Sequence, residues 1–471
     1  MTPLIDALNA HAALGRVSLH TPGHKGAPPF GVWDVTELPD TGSLFGGVDD
    51  AIARAETQAA AAFGAGATLF SAGGDTLCIQ TMLALAMLPG GAFSAAKEAA
   101  GGMARGAVGG VVAMSRNAHI SAVNAAVLLD LGPVWFDGTV DGLLNIEGNI
   151  QAVYVTSPTY EGRLLNVEGL CKAAHTRGVP VLVDNAHGSH LGAFGLHPLQ
   201  LGAAMSADST HKTLPVRTGG AYLHLSEAWC AKYAGADEAG AAKENLTIAA
   251  FDVKAATAAA KSAAPAATTA AKGAAKSAMA LFGSTSPSFE TLASLDFAQD
   301  WWVRGGAQAY RELAARLPAH SGDPARLCVK ADAARLRAAG FEPEMEDGGW
   351  VTLILTPFNT AEEIGRLLDV IQGCPLRGAP FKKGMLSQNV PPSDALSLPL
   401  PGMVLSPRQA YFSQTVRLPL EQAVGRVAAR AACPCPPGIA VLVPGARIDE
   451  GTARWLVARS VMHADVVAAE G

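Results

Sequence analysis

The sequence predicts an α/β fold, because short strand-like runs alternate with helical segments through its first half. Four runs have the length and the continuously apolar composition of buried strands, namely ATLFS, VVAM, AVYVTS and VPVLVD. The segment from Asp49 to Phe63 begins with acidic residues and is rich in alanine, which predicts a helix that ends at Gly64. With 471 residues, 49% of them hydrophobic, the chain is long enough for two or three domains.

Composition and charge narrow the class of protein. A formal charge of −6 argues against nucleic acid or an anionic membrane as a partner, since both favour a basic surface. Seven scattered cysteines, of which only Cys433 and Cys435 are close together, fit neither a disulfide framework nor a zinc site and indicate a reducing compartment. The first twenty residues lack the apolar core of a signal peptide, and the run from Thr76 to Leu88 is too short to span a bilayer. We therefore expect a cytoplasmic enzyme with no metal site and no membrane partner.

The stretch from Val179 to His224 carries the clearest chemical signal. Asp184 ends the strand-like run VPVLVD, and Lys212 follows 28 residues later within Ser-Thr-His-Lys. A pyridoxal phosphate (PLP) site requires such a pair, because a lysine amine forms a Schiff base with the aldehyde and an acid keeps the pyridine nitrogen protonated. Each residue alone is more often a cap or a surface charge, so the combination carries the prediction.

The motifs DNAHGSH and STHKTLP resemble the DEAHGAH and STHK motifs of the Orn/Lys/Arg decarboxylase family, and the resemblance extends from about His20 to about Gly445. It implies the PLP-dependent transferase fold type I, with a mostly parallel central sheet in a large domain and a smaller α+β C-terminal domain. The expected segments are 1–48, 49–300 and 301–471. The chain resembles a short form without the additional N-terminal domain of large inducible members.

The resemblance also implies catalytic roles. Lys212 matches the lysine that binds PLP, and Asp184 matches the acid that faces the pyridine nitrogen. His187 and Ala186 match residues beside the ring. His119, within SRNAHIS, matches the histidine that stacks on the ring, although a histidine in such a turn is more often structural. The predicted catalytic residues are Lys212, His119, Asp184 and His187.

Other motifs extend the predicted cofactor site. A glycine turn before a helix can bind phosphate, and here it includes Asp75, which we expect to cap the helix and point away, leaving Thr76 as the better ligand. The STSPSF motif implies that hydroxyls reach the phosphate of a neighbouring subunit, so we expect a homodimer with shared active sites. The predicted cofactor-binding residues are Gly74, Asp75, Thr76, His119, Asp184, Ala186, His187, Ser209, His211, Lys212, Ser284 and Thr285.

Several segments depart from the family pattern. Asn185 stands where the family has Glu, which removes one carboxylate from the site. Glu161 replaces an Asp and is as well explained as a surface acid as by substrate contact. The Ala- and Lys-rich segment at about 253–280 has few large apolar groups, so we expect a solvent-exposed insertion, helical in part or disordered.

Together these features predict PLP-dependent decarboxylation of a basic L-amino acid (arginine, lysine or ornithine) to the corresponding amine and CO2. Two alternatives stay open. Asn185 and Arg217 also fit another fold type I reaction, such as that of an aminotransferase, aldolase or lyase. Asp75 and the lost Glu also fit a catalytically silent relative.

Overall fold

A computed structural model describes residues 1–47, 49–88, 109–238, 265–377, 398–434 and 438–468. Within these residues, no helix is both long enough and apolar enough to cross a bilayer. The helices are α1 (Pro3–Ala13), α2 (Ala51–Phe63), α3 (Gly74–Met87), α4 (Ile120–Leu129), α5 (Val140–Leu144), α6 (Val167–Thr176), α7 (Glu227–Glu238), α8 (Pro265–Ala280), α9 (Phe289–Trp301), α10 (Ala307–Arg316), α11 (Ala333–Ala338), α12 (Ala361–Val370), α13 (Pro407–Phe412), α14 (Leu420–Ala423) and α15 (Glu450–Val457). The strands are β1 (Ala67–Ser71), β2 (Gly110–Ser115), β3 (Leu131–Phe136), β4 (Ala152–Thr156), β5 (Val181–Asp184), β6 (Met205–Asp208), β7 (Ala221–Leu225), β8 (Arg326–Lys330), β9 (Met345–Asp347), β10 (Trp350–Ile354), β11 (Gly402–Met403), β12 (Thr415–Pro419), β13 (Ala446–Arg447) and β14 (His463–Val467).

The chain forms two compact units that divide at the end of β5. The first unit comprises Met1–Ala92, Asp184–Leu317 and Thr356–Phe358. The second comprises Phe93–Val183, Pro318–Leu355 and Asn359–Gly471. The segments predicted from the sequence, 1–48, 49–300 and 301–471, stay a prediction.

In the first unit, β7 lies between β1 and β6 and runs antiparallel to both. Strands β1 and β6 therefore run in the same direction, and the turns that follow them emerge at the same edge of the sheet. Helix α3 packs on β6 and β7, and α2 packs on β1. This arrangement brings the glycine turn after β1 and the lysine turn after β6 to one edge.

In the second unit, β2 pairs in parallel with β3 on one side and with β4 on the other. All three strands are almost entirely buried, as parallel strands covered by helices on both faces require. Helix α13 packs against α4 and β3. A separate antiparallel sheet has the order β8-β10-β9, and two further pairs join β11 to β13 and β12 to β14.

The predicted helix that ends at Gly64 is confirmed, and a second helix has a well-defined N-terminal cap. Asp50 caps α2 by accepting a hydrogen bond from the Ala53 backbone N–H, and Gly64 ends the helix with a φ of 66°, which glycine adopts without steric cost. Helix α12 begins with a capping box in which Thr360 and Glu363 each bind the other's backbone N–H.

The expectation of an exposed Ala- and Lys-rich insertion was wrong for its described part. Residues 253–264 lie outside the described residues, but α8 packs against α3 and α7 and buries Ala271 and Ala275. Small side chains let the helix approach its neighbours closely, so it packs without large apolar groups. Lys272 and Lys276 lie 2.8 Å and 3.3 Å from the carboxylate of Glu56, which is fully buried in α2. The lysines therefore anchor the helix.

Candidate functional site

Lys212 lies at the end of a tight turn that begins where β6 ends. The turn Thr210–Lys212 is a single 3-10 segment, and the backbone N–H of Lys212 donates to the Ser209 carbonyl at 2.9 Å. Ser209 and Thr210 are buried, whereas Lys212 is partly exposed. The Lys212 Nζ lies 3.1 Å from Nε2 of His187. The structure therefore places the predicted Schiff-base lysine next to the predicted neighbouring histidine.

The second turn of the site follows β5. Asp184 is 1% exposed and accepts a 3.1 Å hydrogen bond from the backbone N–H of Ala186. The Gly188 N–H donates to the Asn185 carbonyl at 2.8 Å, which closes the turn and directs His187 toward Lys212. Four of the predicted residues, Asp184, Ala186, His187 and Lys212, are thus brought together by two turns of the first unit.

The glycine turn before α3 differs from the expectation at Asp75. Gly73 occupies the N-cap position without a side-chain bond, and Asp75 lies inside the first turn, so Asp75 does not cap the helix. Its carboxyl group is buried, and neither oxygen accepts a hydrogen bond from the described residues. Burial raises the pKa of Asp75 well above its usual value, the neighbouring Asp184 carboxylate raises it further, and Lys212 partly opposes both. Thr76 is exposed at this helix start.

Beneath the two turns lies a buried polar network centred on Asp208, the last residue of β6. Its Oδ2 accepts from Nδ2 of Asn185 at 2.9 Å and contacts Nε2 of His197 at 3.1 Å, and its Oδ1 accepts from Ser206 Oγ at 2.6 Å. Although burial opposes ionisation, His197 and the other partners lower the pKa of Asp208 to about 2. The carboxylate is therefore charged at neutral pH.

His224 in β7 lies next to this network. Its Nδ1 is 2.8 Å from Thr68 Oγ1 across the β1–β7 pair, while its Nε2 has no hydrogen-bond partner among the described residues. Burial lowers the pKa of His224 to about 4, so the ring is neutral at pH 7. In the described part of the chain, His197, Asp208 and His224 form the one group whose ligand atoms lie close enough, within 4.8 Å, to hold a metal ion.

Sequence reasoning missed this network. Ser206, Asp208 and His224 lie in β6 and β7, two short strands that were not among the predicted ones, and their side chains are fully buried. Buried polar side chains need partners, so their position inside strands was the available signal.

The SRNAHIS motif lies in the second unit, where the side chain of Arg116 binds backbone carbonyl groups. The guanidinium of Arg116 donates to the carbonyls of Pro399, Ala440 and Val441 at 3.0–3.1 Å. Burial lowers its pKa to about 10, and it stays charged at neutral pH. Arg116 therefore joins this motif to the segment around residues 440 and 441.

His119 caps α4 in the same unit. Its Nδ1 accepts from the Ser121 backbone N–H at 3.2 Å and contacts Ser121 Oγ at 2.8 Å. A Cβ added to Gly438 would lie 2.7 Å from the imidazole, so this position needs glycine both for the close approach and for its φ of 78°. The stacking role implied by the resemblance stays a prediction.

Three residues that were predicted to contact the phosphate or to flank Lys212 are more exposed than Asp184 and Ser209. Ser284 and Thr285 are exposed in the first unit, before Ser288 caps α9. His211 is partly exposed, and burial together with the neighbouring Lys212 lowers its pKa, which favours the neutral ring.

Comparison with known proteins identifies relatives along nearly the whole chain. Residues 393–463 match the family model for the Orn/Lys/Arg decarboxylase C-terminal domain. The arginine decarboxylase of Halalkalibacterium halodurans is 28% identical over 97% of this chain and 92% of its own length. That of Bacillus subtilis is 25% identical over 95% and 91%. The chain is thus similar along most of its length to arginine decarboxylases, and its C-terminal part matches the Orn/Lys/Arg decarboxylase family.

The chain shares its fold with solved lysine decarboxylases. The lysine decarboxylase of Francisella novicida superposes with a TM-score of 0.65 at 16% identity, over 99% of this chain and 81% of that one. Lysine decarboxylase A of Pseudomonas aeruginosa gives a TM-score of 0.64 at 17% identity, over 98% and 76%. The predicted fold class, α/β with a mostly parallel central sheet and the PLP fold type I architecture, is confirmed, and PLP is the cofactor of the family.

The first unit of the chain fits this cofactor. It offers a lysine amine beside an imidazole, and a buried carboxylate on the adjacent turn. At the start of α3, a Cβ added to Gly74 would meet nothing within 4 Å, so the turn has open space before it. Asp75 is the exception, because its buried carboxyl group lacks a donor and would repel a phosphate if ionised.

Proposed function

We propose that this protein decarboxylates a basic L-amino acid, with arginine as the first substrate to test. The observation that carries the proposal is the 3.1 Å contact between Lys212 Nζ and His187 Nε2, on turns that also hold the buried Asp184. Four relatives named arginine decarboxylase match 94–97% of the chain, which supports arginine over lysine and ornithine.

PLP, when bound, supplies an aldehyde for the substrate amine and a ring that accepts the electrons left by the departing CO2. Lys212 would hold the cofactor and would be available to return a proton to the substrate α-carbon. Asp184 would keep a proton on the pyridine nitrogen, and the Ala186 N–H orients its carboxylate.

His187 and Lys212 work as a pair. Because the imidazole Nε2 lies within hydrogen-bonding distance of Nζ, His187 is placed to orient the Lys212 amine. In this proposal His119 would stack on the ring. Ser209 and His211 flank Lys212 and hold its turn in place.

The proposed active unit is a homodimer. Ser284 and Thr285 present exposed hydroxyls on a loop before α9, as expected of side chains that reach across to the phosphate site of a second copy. We also propose that the protein acts in the cytoplasm, on a small-molecule amino acid.

The deciding experiment compares Lys212→Ala with Lys172→Ala. Lys172 is an exposed lysine that pairs with Glu168 on α6, so its loss should leave turnover unchanged. Each protein is loaded with PLP and given arginine, lysine or ornithine separately, and CO2 and the amine are measured. Lys212→Ala should lower turnover by at least about 10³-fold, as loss of a covalent catalytic group does. Turnover retained by this variant would rule out the assignment.

A catalytically silent relative is the second candidate, and Asp75 favours it. A carboxyl group buried without a donor beside Asp184 and Lys212 is a poor neighbour for a dianionic cofactor. Failure of the unaltered protein to bind PLP, measured as absence of a visible absorption band, would select this candidate. A band with an amine other than the three expected, or with no CO2, would select another fold type I reaction.

A further inference from the structure

We propose that Asp208 is a positioning residue for Lys212, and that it supplies to the site the carboxylate that position 185 lacks. The inference rests on the proposed function for its role in catalysis, but its geometric basis is independent of the substrate. The side chains of Asn185 and Asp208 face each other at 2.9 Å, between the turn that carries His187 and the turn that carries Lys212.

The two turns are joined at both ends. At one end, Asn185 Nδ2 donates to Asp208 Oδ2, and at the other, Lys212 Nζ contacts His187 Nε2 at 3.1 Å. Between these contacts the backbone N–H of Asn185 donates to the Ala207 carbonyl at 2.8 Å. A shift of Asp208 would therefore move the start of the lysine turn relative to His187.

Asp208 is itself held from the opposite side. Ser206 Oγ donates to its Oδ1, and Nε2 of His197 lies 3.1 Å from its Oδ2. Both Asp208 and His197 are buried, so these bonds are not weakened by water. The Thr210 hydroxyl donates to the Asp208 carbonyl at 3.2 Å, which extends the same support into the lysine turn.

The network keeps a carboxylate, but at a different position from that of the family motif. A glutamate at position 185, as in the family motif, would place the acid on the β5 turn, whereas here the acid lies at the end of β6 and the amide lies at 185. The pKa of Asp208 is lowered to about 2, chiefly by His197 acting against burial, so the acid is ionised throughout the neutral range.

A metal ion is the alternative occupant of this cluster, since His197, Asp208 and His224 have ligand atoms within 4.8 Å. However, the carboxylate oxygens of Asp208 already contact Ser206, Asn185 and His197. A cation would have to displace these partners, so the hydrogen-bond network is the better explanation of the geometry.

The test is a charge exchange between the two positions. Asp208→Asn removes the carboxylate, Asn185→Asp sets two carboxylates against each other, and the double variant restores one acid and one amide. The readouts are the Kd for PLP, the pH midpoint of the visible absorption band of the loaded protein, and Tm. We expect each single variant to weaken PLP binding by about tenfold or more and to shift the pH midpoint, and the double variant to return within about threefold of the unaltered protein.

Ser206→Ala is the matched control, because it removes a donor to the same carboxylate without cutting the contact between the turns. It should lower Tm and leave the pH midpoint unchanged. If Asp208→Asn does not fold, Asn185→Ala cuts the same contact while Asp208 keeps His197 and Ser206, and it should shift the midpoint. An unchanged midpoint in the variants that cut the contact, or a double variant no better than the singles, would overturn the proposal, as would restoration of binding only by added Zn²⁺.

These outcomes separate this proposal from the proposed function. If the exchange pattern appears in PLP binding and in the pH midpoint but none of the three amino acids is decarboxylated, only the proposed function fails. If decarboxylation occurs but Asp208→Asn and Asn185→Ala leave the midpoint unchanged, only the positioning role fails.

Discussion

Three buried carboxyl groups of the first unit show how surroundings decide the state of the same chemical group. Asp208 has three polar partners and stays ionised, whereas Asp75 accepts no hydrogen bond from the described residues and is held toward its neutral form. Asp184 accepts a hydrogen bond from the Ala186 N–H. These buried carboxyl groups therefore differ in their partners and not in their type.

At the residue scale, Asp75→Asn should stabilise the protein at pH 8. The folded state holds the Asp75 proton more tightly than the unfolded state does, so the unaltered protein loses stability as pH rises above about 3.9, the unfolded pKa, toward the raised folded value. An amide avoids this loss. Thermal unfolding should show a higher Tm for the variant than for the unaltered protein at pH 8, by about 2 °C for each 1 kcal/mol gained, and the difference should shrink toward pH 4.

Asp296→Asn is the matched control for that measurement. Asp296 is also buried, and its pKa is raised to about 6, but it accepts hydrogen bonds from the backbone N–H groups of Leu4 and Ile5. Its amide variant should not gain stability, because an amide is a weaker acceptor for these donors. An equal gain in both variants would mean that general charge reduction, and not the missing donor, causes the effect.

His224 gives a second pH-dependent prediction. Its folded pKa of about 4 lies below the unfolded value of about 6.5, so protonation favours the unfolded chain. The free energy of unfolding should fall as pH drops from about 6.5 to about 4, by up to ~1.4 kcal/mol per pH unit from this group. Urea unfolding at several pH values should show this fall, and His224→Gln should reduce it. If the free energy of unfolding of His224→Gln fell with pH as steeply as that of the unaltered protein, the prediction would be contradicted.

At the scale of elements, α8 shows that small residues build a tight helix contact. Alanines at spacings of four place a narrow face toward α3 and α7, and Lys272 and Lys276 on a neighbouring face bind the buried Glu56. Glu56 in turn accepts from the Phe70 backbone N–H at 3.1 Å. This helix is thereby connected to β1, which leads into the glycine turn of the site.

Ala275→Leu should destabilise the first unit. Ala275 is 0% exposed, so the added carbons force α8 away from its neighbours, at a cost of about 1–3 kcal/mol. Ser277→Leu adds a larger apolar group at an exposed position of the same helix and should change stability by no more than about 0.5 kcal/mol. Urea unfolding midpoints measure both, and similar losses in the two variants would argue against tight packing at position 275.

At the scale of the whole molecule, the homodimer proposal depends on a loop that a single chain leaves exposed. If the proposed dimer forms, Ser284→Ala combined with Thr285→Ala should weaken PLP binding by about tenfold, because two hydroxyl donors to the phosphate would be lost. Tm measured without PLP should stay unchanged, since neither side chain is buried. Thr415→Ala, at an exposed position in β12, is the control.

Sedimentation of the unaltered protein completes that test. A species of twice the chain mass, together with the weakened PLP binding of the double variant, would support sites shared between subunits. A monomer that binds PLP as tightly as the dimer would contradict it.

By itself, the sequence determined the features that depend on local order along the chain. Apolar runs predicted four of the strands, Gly64 predicted the end of a helix, and the spacing of Asp184 and Lys212 predicted the chemistry. The tertiary structure decided which side chains meet. It turned Asp75 inward, buried one face of α8, and paired Asn185 with Asp208, because strand order and packing place residues far apart in sequence within a few ångströms. Partners and burial set the charge of a group, and neither can be read from its neighbours along the chain.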